Sequence, residues 1–205
     1  MKRLPFAWAM AFAAMALPAL AAPQALDKPG PGAWPTRVFT WHYNPQHAPA
    51  WLSAEAAQTL MQRASEPWAA CGVQIQFAGV TDKPPGKMDG SNVAGWSLQM
   101  PRQLRGLTLG LAMDGRLLER DVLIRPDRQE FERFPRLLQK VITHEFGHAI
   151  GLTHSSRCDD VMTLAADCPK VDPRLLPLKL TPHDLARCHA IYPPQPQPNE
   201  IKSTP

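Results

Sequence analysis

Three histidines and a glutamate, His144, Glu145, His148 and His154, fall within one short stretch of this chain. In a helix, residues four apart lie on one face, so His144 and His148 can offer two imidazoles to a single metal ion. Gly151 follows one turn later, where helices often leave through a left-handed residue. Such an exit would bring His154 back as a third ligand. Three neutral nitrogens at about 2.0–2.1 Å suit zinc and leave a fourth position for water. Glu145 points to another side of the helix and is free to take a proton from that water. Bound zinc lowers the pKa of such a water to roughly 7, which makes hydroxide available at neutral pH.

The glycine and third histidine stand at the spacing of the metzincin signature. Residues 144–155 resemble the zinc helix of the matrixins, the branch of metzincins that contains the matrix metalloproteinases. Ser155, directly after the third histidine, is the matrixin choice, and Met162 stands where the family places its Met-turn, the apolar floor beneath the metal. Astacins and serralysins carry a tyrosine ligand two residues after that methionine, whereas this chain has Leu164. Residues 180–192 are similar to the last matrixin helix, and Asp184 matches an acidic position that anchors structure near the zinc helix.

The resemblance implies an α+β metzincin (zincin-like) fold. Its twisted, mostly parallel sheet has one antiparallel edge strand, with two long helices and a C-terminal helix around it. It also implies a secreted, bacterial-type, single-domain endopeptidase with one catalytic zinc. His144, His148 and His154 would hold the metal, and Glu145 would act as general base. Lys140 and Val141 would help shape the pocket for the residue after the scissile bond, where a lysine could shorten or charge it; a solvated helix lysine is an alternative of equal weight for Lys140. Matrixins also bind calcium in loops comparable to 82–92, but Asp82 and Asp89 read more simply as solvated carboxylates, so a calcium ion has no support here.

The elements that must position these residues are legible in outline. Residues 37–43 alternate as a strand, and His42 and His47 read as surface or strand-partner residues rather than ligands. Ser53 is a candidate N-cap for a helix running through Met61 and Ala64 toward Trp68, with Pro67 disturbing its last turn. Residues 73–77 and 93–100 read as strands. Asp114-Gly115 between apolar runs predicts a hairpin, with the edge strand at 107–113. Leu137, Leu138, Val141 and Ile142 supply a buried stripe for the zinc helix. Thr181 and Pro182 open the last helix.

The chain has 205 residues, enough for one domain with a substantial core. Residues 1–22, with Lys2 and Arg3 before an apolar run, read as a signal peptide that directs the protein out of the cytoplasm, to the periplasm or beyond. Residues 23–36 form an extended lead-in, 37–192 the catalytic domain and 193–205 a Pro-rich disordered tail. The lead-in is too short for a propeptide domain and has no cysteine. Cys71-Gly72-Val73 lacks the flanks of a cysteine switch, so no built-in zymogen lock is expected.

Without Lys2 and Arg3 the formal charge falls from +4 to +2, too small to argue for nucleic acid. No membrane anchor is expected, and a monomer acting on a protein or peptide is. Cys71, Cys158, Cys168 and Cys188 make two disulfides the default after export, with three pairings open. A Cys158–Cys168 bridge would staple the loop around Met162, and Cys71 and Cys188 would then tie an early helix to the last one. Two other functions compete: a zinc hydrolase of a non-protein amide such as cell wall, and a catalytically silent secreted binding module. A silent module would be expected to lack Glu145.

Overall fold

The computed structural model describes residues 30–164, 168, 172 and 178–194. The expected leader, residues 23–29 of the lead-in, the prolines after the Met162 loop and the tail beyond 194 lie outside them. The described residues form five strands: β1 (Val38–Asn44), β2 (Gln74–Val80), β3 (Val93–Trp96), β4 (Gly106–Met113) and β5 (Arg116–Ile124). They form one sheet in the order β2-β1-β3-β5-β4. Every pairing is parallel except β4 with β5. The parallel pairs are made by crossovers, and the hairpin turns at Asp114 (φ 50°) and Gly115 (φ 71°), the left-handed pair that a two-residue turn demands. β4 therefore lies at the sheet edge, with one side of its backbone unpaired by the sheet.

Helix α1 (Ala54–Ser65) begins where Ser53 accepts from the Ala56 N–H. It does not run on to Trp68. Pro67 cannot donate to the helix ladder, and a 3-10 helix, Glu66–Cys71, takes over. A short α2 (Gln129–Arg133) leads into α3 (Pro135–Ala149), which opens on a proline as helices tolerate. α3 buries Leu137, Leu138, Ile142 and Phe146 against α1 and the sheet, while Val141 is only half-buried. Each fully buried apolar side chain of this size contributes about 1.5–3 kcal/mol. Phe146 meets Trp41 at 5.0 Å and Phe39 at 6.3 Å between ring centroids, which fixes the rotation of α3 over the sheet.

The third strand is shorter than the sequence pattern predicts. After Trp96 the chain leaves the sheet, and the Arg125 guanidinium takes the carbonyls of Leu98 and Met100 instead of a strand partner. α4 (Pro182–Ile191) carries a capping box in which Thr181 and Asp184 satisfy each other's backbone N–H. Disulfides join Cys71 to Cys188 and Cys158 to Cys168. The first ties the 3-10 helix to α4; the second closes the loop that holds Met162. No helix among the described residues is long and apolar enough to cross a membrane.

Candidate metal centre

His144 and His148 stand on the last two turns of α3, as their spacing requires. The far end of the helix is held from outside. Its last carbonyls have no intrahelical partner; Trp34 donates its indole N–H to Ala149 O (3.0 Å) and Tyr192 its hydroxyl to Ile150 O (2.8 Å). Gly151 then adopts φ 101°, a conformation that disfavours any side chain. The lead-in crosses this turn so closely that a Cβ on Gly151 would lie 2.3 Å from Gly32 O. With the exit direction fixed, His154 returns toward the helix.

The three imidazoles converge. His144, His148 and His154 each offer one ligand atom, and these atoms lie within 4.8 Å of one another. Among the described residues they are the only group of three or more His, Cys, Asp or Glu side chains with metal-holding spacing. Asp82, Asp89, His42 and His47 take no part in such a group. His144 Nδ1 donates to Val161 O (2.8 Å) and His148 Nδ1 to Leu152 O (2.7 Å). A carbonyl only accepts, so each Nδ1 carries the proton and each Nε2 presents a lone pair. Burial pushes His144 down to about 4, the Val161 carbonyl opposing, and burial holds His148 well below its usual value. His148 Nε2 and His154 Nε2 stand 3.2 Å apart. That spacing is what two nitrogens bound to one small cation would have, and a tripod in which His144 and His148 present Nε2 lone pairs fits zinc.

Glu145 lies beside the tripod, 6% exposed. Thr108 of β4 donates its hydroxyl toward Glu145 Oε2 (2.8 Å). Burial pushes the Glu145 carboxyl up to about 8 against that hydrogen bond. A divalent cation alongside would draw it back toward the ionised form.

Met162 is fully buried under α3, where Gly147 makes the room. The Met162 loop is fastened at both ends. Ser155 N–H donates to Met162 O (2.8 Å), and the buried Asp184 carboxylate accepts from Val161 N (2.9 Å) and Met162 N (3.4 Å). Val161 in turn supplies the carbonyl that orients His144, so α4 reaches the tripod through one loop.

Lys140 is 7% exposed, not a solvated helix lysine; burial first, then Arg136, pulls it down to about 8 while Asp172 opposes. Sequence reasoning missed the parts played by Thr108, Gly147 and Trp34, and placed Tyr192 only as the end of the last helix. A threonine in a strand reads only as a good strand former, and a glycine between ligands reads as filler. Glu119 and Asp121 were missed too. They reach from β5 to pin loop 82–92, Glu119 accepting from Asp89 N and Gly90 N, Asp121 from Gly86 N and Val93 N.

Comparison with known proteins agrees with this architecture. Residues 118–193, which run from within β5 through the tripod and the Met162 loop to the end of α4, match the family model described as Matrixin. A metalloendoproteinase from Arabidopsis thaliana, 1-MMP, is 26% identical over 171 residues, 80% of this chain. The chain spans less than half, 45%, of that relative's length. The matched segment, which carries the histidine tripod and the Met162 loop, is similar to the matrixins.

Proposed function

We propose that this chain is an exported zinc-dependent endopeptidase that hydrolyses internal peptide bonds of proteins. The observation that carries the proposal is the convergence of three half-buried imidazoles beside a buried carboxyl group and next to an edge strand. In this reading His144, His148 and His154 are the metal ligands and Met162 is the floor beneath them. When bound, zinc supplies Lewis acidity and an acidified water. Glu145 takes the proton from that water and delivers it to the leaving nitrogen. Burial favours the neutral ligand nitrogens this chemistry needs but the protonated form of Glu145, so the base would depend on a bound cation to return it to the carboxylate.

The substrate class follows from β4. An edge strand offers a row of backbone donors and acceptors to an extended peptide, which a non-peptide amide could not use in register. Lys140 and Val141, on the turn of α3 before the tripod, are proposed to line the pocket for the residue after the scissile bond. Two disulfides among the described residues support export to an oxidising compartment.

The test is a peptide-library digest by the zinc-loaded chain, with chelator and Glu145→Gln controls. Internal cleavages that vanish in both controls are expected. Cleavage that persists in Glu145→Gln with zinc still bound would falsify the assignment of the base.

A further inference from the structure

The edge strand does more here than end the sheet. Its residues 106, 108 and 110 share one face, because side chains alternate along a strand. That face looks toward α3, and it touches Glu145 twice. Thr108 Oγ1 lies 2.8 Å from Glu145 Oε2 and 2.9 Å from Glu145 O. A Cβ added to Gly106 would lie 2.6 Å from Oε1, 2.7 Å from Cγ and 2.9 Å from Cδ of the same side chain. The carboxylate therefore rests on bare backbone at one residue and is hydrogen-bonded two residues further on.

We propose that Thr108 is a positioning residue for Glu145, and that Gly106 keeps open the space in which the carboxylate must lie. The inference rests on the endopeptidase reading and adds to it how the base is aimed. A glutamate has three freely turning bonds, and without a partner its carboxylate samples several orientations. The Thr108 hydroxyl holds Oε2. Oε1 has no hydrogen bond among the described residues and is the oxygen left to receive the water proton, which then passes to the leaving nitrogen. Because Thr108 belongs to the strand that an incoming peptide would extend, substrate docking and alignment of the base share one element.

A role confined to aiming the base should show in turnover and not in substrate affinity. The zinc-loaded full chain is compared with Thr108→Val, which keeps shape and loses the hydroxyl, Thr108→Ser, which keeps the hydroxyl, and Thr108→Ala. Relative to wild type, kcat of the Val and Ala variants should fall roughly ten- to a hundredfold with KM changed by less than about twofold, while Ser should stay within about threefold. Zinc retention, read by competition with a chromogenic chelator, should be the same in all four proteins. Wild-type kcat in the Val and Ala variants overturns the inference, and so does a loss confined to KM, or a Ser variant as slow as Ala. If Thr108→Val does not fold, the Ala–Ser pair decides the matter alone. Wild-type chain that cleaves no peptide overturns the endopeptidase reading itself, and the inference falls with it. Cleavage by wild type with no effect at Thr108 overturns the inference only.

Discussion

Gly147 and Met162 are in contact that only a glycine allows: a Cβ at 147 would fall 2.2 Å from Met162 Sδ and 2.6 Å from Trp68 Cζ2. Both neighbours are fully buried, so neither can swing into solvent. Gly147→Ala should therefore overpack the floor beneath the tripod and cost about 1–3 kcal/mol. Chemical unfolding checks this, and an alanine variant as stable as wild type would refute the contact.

The Cys71–Cys188 bridge closes a separation of 117 residues and Cys158–Cys168 one of 10. Chain entropy gives the long loop about 4–5 kcal/mol and the short one about 2–3 kcal/mol. Paired Cys→Ala replacement of the first bridge should lower the unfolding midpoint more than replacement of the second. Replacing the second should cost the smaller amount of stability and in addition loosen the Met162 loop and weaken zinc retention. Equal losses of stability from both replacements would contradict the loop-entropy ranking.

Arg120 is 8% exposed, and its Nε is buried without a hydrogen-bond partner among the described residues. Burial accordingly pulls the guanidinium below its usual value, with Tyr192 opposing. A buried cation without full compensation costs free energy that an apolar chain of similar length does not. Arg120→Met is expected to raise stability by about 1–3 kcal/mol. Lower stability in that variant would show that the guanidinium is fully compensated.

Asp121 anchors loop 82–92 and is completely buried. Burial pushes its carboxyl from 3.8 up to about 6, opposed by the Val93 and Gly86 N–H groups and aided by Glu119 and Asp89. The unfolded chain thus gives up this proton at lower pH than the folded one. The contribution of Asp121 to stability is fully present below about pH 4 and is lost as pH rises through about 6. Urea unfolding at pH 4 and pH 7 should show a decline from this source on the order of 1–3 kcal/mol. Asp121→Asn should remove that component of the pH dependence. An unchanged slope in the Asn variant would mean that other groups set it.

Several features were legible in the residues because their cause is local. The four-residue spacing of His144 and His148 needs only the helix repeat, and Gly151 with His154 needs only a left-handed exit. Asp114-Gly115 announced the hairpin, and Ser53 and Thr181 their helix starts, since turn and cap geometry are written in one or two side chains. Where a local rule met a distant competitor, it failed. The strand pattern over 93–100 gave way after Trp96 because Arg125, on another strand's end, captured the carbonyls that would have continued it. The 23–36 segment, read as a mere lead-in, presses Trp34 into the end of α3.

From sequence alone came the three histidines, their spacing and the carboxyl group beside them, because helix periodicity fixes which neighbours share a face. Tertiary structure decided what holds them. Thr108 reaches Glu145 from a strand, Asp184 reaches the Met162 loop from α4, and Trp34 and Tyr192 finish a helix far from them in sequence. Those partnerships join residues that no short-range pattern connects; they exist only once the sheet, α3 and α4 have packed and buried polar groups must find partners.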